Sequence, residues 1–518
     1  MPAASQRLAL AVVCIVAASS GAPTPGGAQH DHSAPHDSTG TLGIPVMRAG
    51  SGTAWLPDAA RVPGYHGQLG RWALMAHGSV FVQYDRQFGT RADHQLGSTN
   101  WIMVAATRPV AGGTVRLRTM VSAEPLTLTE RGYPQLLQVA LPYRGATLTD
   151  RQHPHDLLSE ASVAFERLVG STVAVSLYTA PVGEPALGPV AYRHRPSAAY
   201  DPAAPLGHHT QDFTHTSFGV VTFGAFTRRM RLEGSWFNGA HADDVRTDLE
   251  GVRLDSYAGR LSLNPSRAWS VAAWFGHLAA AGGSHAHGAL DRFGVSILHS
   301  QPRASGGQWS TTFVYGANLP AGAAHPLNTL LVETTFEVDR SNALLGRVEY
   351  VRRTAADLAL LGSVSRELDI GAVSLGFERG LRSFAGLRSG LGARATLNPV
   401  PEELRLFYGS RTPAGVILYG QVRPGMGRTT PDRGARIPRD PPATRPVRPW
   451  GNPQHIGVAV PAAGNTLSRG PRHAGAAVGS PENGCELRAA ARRLVSGHPA
   501  YAGGRHPRRG AQTPHDPA

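Results

Sequence analysis

Alternation is the feature that most constrains this chain. Val115, Leu117, Thr119 and Val121 interleave with Arg116, Arg118, Met120 and Ser122. The same period of two runs through Ala161, Val163 and Phe165, through Val332, Thr334, Phe336 and Val338, and through Val373, Leu375 and Phe377. Successive side chains of a strand point to opposite faces, so each stretch carries one apolar and one polar face. About sixteen such stretches lie between residues 72 and 423. Their connections alternate too. A long polar loop (86–98) is followed by the short turn Val110–Gly113, a long loop, the short turn Val169–Ser171, and a long loop at 183–212. The rhythm blurs near 301–306 and then resumes, ending with the long loop 398–413. A soluble sandwich has no reason to sort loop lengths by parity, and a propeller would show a repeat of about 40–50 residues. A transmembrane barrel does sort them, with short periplasmic turns and longer extracellular loops. The expectation is an all-β chain: a transmembrane up-and-down antiparallel β-barrel of about 16 strands over 71–423, in the outer membrane and surrounded by its lipid.

The polar faces carry both signs: Arg116, Arg118, Glu166, Arg260, Glu333, Glu337, Arg347, Glu349, Glu378 and Arg394. Charges on the lipid face are costly, so these residues are expected to face the lumen. They could line a wet pore or pair across it, and both readings stay open.

The two ends read differently. Arg7, the apolar run Leu8–Ala18 and the small residues after it have the layout of a secretory signal peptide, here 1–28. Residues 29–70 read as a periplasmic leader whose His30, His32 and His36 either bind metal loosely or are plain polar surface. Residues 424–518 lose the alternation and read as a disordered Pro/Gly/Arg-rich tail, either native or the product of a frameshift. That tail holds 14 Arg against 5 acids, so most of the net charge of +14 lies outside the barrel and a nucleic-acid partner is not implied. Two cysteines, Cys14 and Cys485, make no disulfide framework. The segment Gly415–Pro424 looks like the terminal strand that the barrel-assembly machinery reads.

The chemistry gathers in two long loops. Asp150–Leu157 reads DRQHPHDL, and Gly207–His215 reads GHHTQDFTH. Both sit at the entry to a strand on the extracellular side, so His153, His155 and Asp156 are expected to meet His208, His209, Asp212 and His215 at the mouth. Imidazoles with carboxylates suit a transition metal such as Cu or Zn. Two further readings compete. One is a polar clamp in which these groups bond to backbone or to Arg151 and Arg193. The other is a hydrolase using Ser159, Ser217 or Asp156, although no G-x-S-x-G signature marks a nucleophile. In Gly183–Ala198 the cations Arg193, His194 and Arg195 either attract anions or pair with Glu184.

These motifs, with Ser51–Ala59 (SGTAWLPDA) and Leu254–Pro265 (LDSYAGRLSLNP), resemble an uncharacterised family of Gram-negative outer-membrane β-barrel proteins over about residues 45–423. The resemblance implies an association with copper or heavy-metal resistance, metal-efflux components as partners, and no assigned activity. This chain reads FNGAHADD at Phe237–Asp244, where that family carries an FNGREPDE-like stretch, so the loop's role is open. The functional expectation is a transport or envelope role linked to metal handling. The alternatives are metal binding without transport, or a barrel-mouth hydrolase.

Overall fold

The computed structural model describes residues 40–425, apart from 130, 282–287 and 361–366. The stretch read as a signal peptide, His30, His32, His36, both cysteines and the residues from 426 onward lie outside the described residues.

A short strand β1 (Tyr65–Leu69) turns directly into β2 (Trp72–Gln87), followed by β3 (Asp93–Val110) and β4 (Gly113–Val121). Four two-residue strands, β5 (Tyr133–Pro134), β6 (Pro142–Tyr143), β7 (Ala146–Thr147) and β8 (Arg151–Gln152), lie in the loop that follows. Next come β9 (Leu158–Val169), β10 (Val173–Gly183), β11 (Ser217–Phe226), β12 (Met230–Phe237), β13 (Ser256–Ser266) and β14 (Trp269–Leu278). The chain continues through β15 (Leu290–Pro302), β16 (Gln308–Pro320), β17 (Leu327–Glu337) and β18 (Asn342–Thr354). It ends with β19 (Glu367–Gly380), β20 (Leu387–Leu397) and β21 (Ala414–Pro424).

Each long strand pairs antiparallel with its neighbours in sequence, and β21 pairs back onto β2 from Val80↔Val422 to Gln87↔Gly415. The 17-stranded sheet is therefore a closed barrel of sixteen strands plus β1, which pairs with the start of β2 at Trp72–Ala76. Closure leaves no unpaired edge, a requirement for a sheet in hydrocarbon.

The outward face is apolar: Leu375, Leu232 and Val348 are 69%, 60% and 54% exposed. Trp269, His299 and Trp309 stack at 4.6 and 5.4 Å near the short-turn rim, and Trp236 and Tyr257 stand toward the other rim. Such aromatic girdles mark the two membrane interfaces. This is a transmembrane β-barrel of the outer-membrane type. No helix among the described residues is long and apolar enough to cross a membrane.

Inside, the mixed charges pair along the wall, between neighbouring strands, and with the inserted loop. Arg118 bonds Glu160 at 2.7 Å, Arg260 bonds Glu233 at 3.2 Å, and Arg347 reaches both Glu333 and Asp201 at 3.2 Å. Two insertions complete the filling. From the outer rim the loop 184–216 descends into the barrel, where Arg195 pairs with Glu333 at 2.6 Å and Ser197 bonds the same carboxylate. From the short-turn rim residues 40–63 enter and return. Part of the stretch expected as a free leader is thus lodged in the barrel. Arg118 donates to the carbonyls of Gly50 (3.0 Å) and Gly52 (2.6 Å), Arg260 to Thr53 Oγ1 (2.8 Å), and Asn264 to Leu56 O (2.9 Å). The tips meet where the Ala191 N–H donates to Ser51 Oγ at 2.8 Å.

Candidate metal centre: two histidine triads in the outer half of the barrel

The DRQHPHDL stretch divides its labour residue by residue. Asp150 is an anchor: its carboxylate accepts from Leu137 N–H (2.6 Å), Tyr408 O–H (2.9 Å) and Arg91 (2.8 Å). Arg151 reaches Asp93 on β3 and donates to Gly132 O at 3.0 Å, tying the stretch to the wall. Gln152 pairs with Tyr133 in the small β5–β8 ribbon, and Gly132, just ahead of β5, has φ +66°. A Cβ at Gly132 would lie 2.1 Å from Gln152 O, so only glycine lets the two chains approach this closely. The ribbon delivers His153 and His155 into the lumen, both buried, with rings 6.2 Å apart.

The second motif forms one helical turn, His208–Gln211, closed by a 3-10 turn at Phe213–His215. Consecutive residues of a helix diverge by about 100°, so His208 and His209 face different neighbours. The turn is pinned to the wall: Arg292 donates to His209 O (3.1 Å), Gln211 to Thr329 Oγ1 (3.1 Å), and Gly207 N–H to Glu349 Oε2 (3.1 Å). At Gly316 on β16 a Cβ would sit 2.9 Å from Gln211 Cγ, so the missing side chain makes room for the turn.

Together the two loops form two triads of imidazoles. His153, His209 and His241 make one, and His155, His208 and His215 the other; within each, ring nitrogens from the three residues lie within 4.8 Å of one another. The triads adjoin, with the His208 and His209 rings 5.0 Å apart. Donors placed tetrahedrally at about 2.0–2.1 Å from one ion stand about 3.3 Å apart, so each triad reaches that spacing by closing at most about 1.5 Å.

The partners of the rings match what ligating histidines require. A metal-bound imidazole gives its other nitrogen to a carboxylate or a carbonyl. His153 Nδ1 faces Pro154 O at 2.8 Å, His241 Nδ1 faces Ala242 O at 2.8 Å, and His215 Nδ1 faces Asp212 O at 2.7 Å. His155 Nδ1 meets Glu124 Oε2 at 2.9 Å, and His208 Nδ1 meets Asp212 Oδ1. That leaves His153 Nε2, His215 Nε2 and both ring nitrogens of His209 buried with no hydrogen-bond partner. A buried polar atom without a partner costs about 1–3 kcal/mol, and a cation would relieve that cost.

The electrostatics favour the neutral form of His153, His155, His209, His215 and His241. Burial holds His153, His155 and His209 well below the ordinary histidine value, reinforced by Arg246 at His153, by Arg193 at His155 and by the neighbouring imidazoles at all three. Burial also brings His215 to about 4 and His241 to about 3. Burial pushes Asp212 upward, but His208, with Arg195 behind it, outweighs that and leaves its carboxyl at about 2. Neutral imidazole is the form that binds metal.

The structure thus brings His153, His155, His208, His209 and His215 together, with Asp212 behind His208 rather than among the nearest donors. Asp156 turns away and pairs with Arg246 at 3.6 Å. His241 completes the first triad from the FNGAHADD loop, and sequence reasoning missed it because a lone histidine carries no spacing signal. Glu124, from the loop before β5, was missed for the same reason. Neither serine considered as a nucleophile approaches this chemistry: Ser159 donates to Asp156 O and Ser217 to Thr214 O, both at 3.1 Å. Arg193 pairs with Glu124, and Glu184 lies 3.8 Å from Arg260.

No family model matches the chain, and no curated protein is similar to it. Among solved structures the barrel is similar to OmpT of Vibrio cholerae (TM-score 0.39, 8% identity, covering 69% of this chain and 100% of that one). It is also similar to OmpF of Salmonella typhi (0.43, 8%, 69% and 100%) and to the outer membrane channel DcaP of Acinetobacter baumannii (0.39, 11%, 70% and 100%). The barrel assignment rests on its own strand pairing and apolar exterior.

Proposed function

We propose that this outer-membrane barrel is a metal-handling protein whose two triads each bind a late first-row transition ion, copper or zinc. One observation carries the reading: six histidines from three loops converge in two adjoining sets, with five of their Nδ1 atoms turned to oxygen and several remaining nitrogens buried without partners. A polar clamp would satisfy those nitrogens, and burying them unsatisfied is costly. Imidazole-rich sites suit Zn and Cu, and the carboxylates of Glu124 and Asp212 offset the added charge.

Metal analysis of the purified, folded protein is the test. Wild type is expected to bind two equivalents of zinc, and His209→Ala and His215→Ala one each. Binding of no zinc above a histidine-independent background, or equal binding by all three proteins, defeats the proposal. A second reading, in which the barrel holds metal without moving it, draws support from the paired charges and insertions that fill the lumen.

A further inference from the structure

Below the triads, on the way to the short-turn rim, lies a third set of histidines that the metal-binding reading does not use. His77 projects inward from β2, and His194 from the inserted loop; their rings are 5.5 Å apart. Both are buried, at 6% and 8% exposure, and His77 Nε2 and His194 Nδ1 have no hydrogen-bond partner. Trp101 packs against both rings, at 5.0 and 4.7 Å.

Two cavities meet at His194. The upper one is about 10 Å³ and is lined by His215 of the second triad, Met120, Glu160, Glu184 and His194. That is about the size of one water or one bare cation. The lower one is about 80 Å³; His194, His77 and Trp101 line its upper end, and Gln308, Glu337 and Arg423 its lower end. Gln308 begins β16, Glu337 ends β17 and Arg423 lies at the end of β21, so this cavity reaches the periplasmic rim.

The charges along this course are balanced. Arg118 is neutralised by Glu160 at 2.7 Å, and Arg193 by Glu124. Glu184 stands at the upper cavity, 3.8 Å from Arg260, with both of its carboxylate oxygens lacking a hydrogen-bond partner.

We propose that His77 and His194 form a mid-barrel station for a borderline cation such as Zn²⁺, and that an ion leaving the His155–His208–His215 triad passes it to reach the periplasm. The proposal rests on the triads holding metal. It adds a direction, a route around the insertions, and two residues that bind only in passing. The station has fewer donors than a triad, so it releases what it receives, as conduction through successive sites requires.

The test uses full-length barrel in lipid vesicles with a zinc-sensitive dye inside, alongside zinc stoichiometry in detergent. Wild type is expected to admit zinc saturably, without steady potassium conductance. His77→Gln and His194→Asn, on different elements, are each expected to keep the two triad equivalents and to slow zinc entry at least about tenfold, the scale of a lost metal contact. Triad binding with zinc entry no faster than in protein-free vesicles overturns the route, as does entry unchanged in either variant that folds. Should both variants misfold, the wild-type flux alone decides. Loss of zinc binding by wild type would instead strike the metal-binding reading on which the route depends.

Discussion

Glu124 holds His155 twice: its Oε2 accepts the main-chain N–H and meets the ring Nδ1, each at 2.9 Å. Arg193 contacts the same ring nitrogen and the other carboxylate oxygen. The two neighbours make opposite demands, because the carboxylate asks Nδ1 for a proton and the guanidinium asks it for a lone pair. Metal on Nε2 decides in favour of the carboxylate. Glu124→Gln is therefore expected to weaken metal binding by the second triad about 10–100-fold and to leave the first triad unchanged. Competition against a chromophoric chelator reads both affinities; equal loss at the two sites would contradict the assignment.

Gly132 sets the position of both histidines in its loop. With φ at +66° and Gln152 O in the place of a Cβ, Gly132→Ala must push the β5–β8 ribbon apart. A strain of about 1–3 kcal/mol is expected, confined to the loop. Heat modifiability on a gel should persist, while metal affinity falls at both triads, since His153 and His155 move together.

Glu333 is the wall's grip on the inserted loop, because Arg195, Ser197 and Arg347 all converge on it. Removing one partner of a buried ion pair costs about 3–5 kcal/mol. Glu333→Gln is expected to expose the 184–216 loop to protease without releasing the strands. An uncleaved loop, mapped by mass spectrometry, would show that the grip lies elsewhere.

Acid should loosen the metal-free centre. His215 and His241 hold pKa values of about 4 and about 3 when packed, against about 6.5 when free. The unpacked loops take up protons first as pH falls. Stability of the packed state is thus complete above 6.5 and declines as pH drops from there toward 4 and 3, by at most about 1.4 kcal/mol per pH unit per histidine. Protease protection of the outer loops, measured without metal from pH 7.5 to 5, is expected to fall. Protection that rises or stays level would refute the neutral-histidine packing.

Closure is complete at β21, which pairs with β20 on one side and β2 on the other and ends at Pro424. A chain cut after Gly425 is expected to reach the same heat-modifiable form in membranes, with yield close to that of the full chain. Collapse of that yield would assign residues 426–518 a part in folding.

The barrel was legible because a strand with lipid on one face and a polar filling on the other writes its geometry into every second residue, as Leu117 beside Arg118 shows. The loop histidines were legible as motifs because His153 and His155, and His208 with Asp212, sit at spacings that place them together locally. What escaped were relationships between distant segments. Nothing near Arg118 in sequence announces that Gly50 and Gly52 are its acceptors, 68 and 66 residues away. The insertion 40–63 has no period, since it is held by scattered main-chain and side-chain contacts and not by a repeating face. Asp156 sits between a triad histidine and a strand, and its partner Arg246 belongs to another loop.

The contact between Ser51 and Ala191 has a mechanical meaning. The strap entering from the periplasm is latched to the wall by Arg118 and Arg260, and its tip bears on the outer loop three residues before His194. The two fillings touch and form one continuous column through the barrel. A pull on the chain ahead of Gly40 would strain the two latches first. Once they slipped, it would draw on the segment that carries Tyr192, Arg193 and His194. Tension applied at the periplasmic end would then be felt at the second triad, where Arg193 contacts Glu124 and His155.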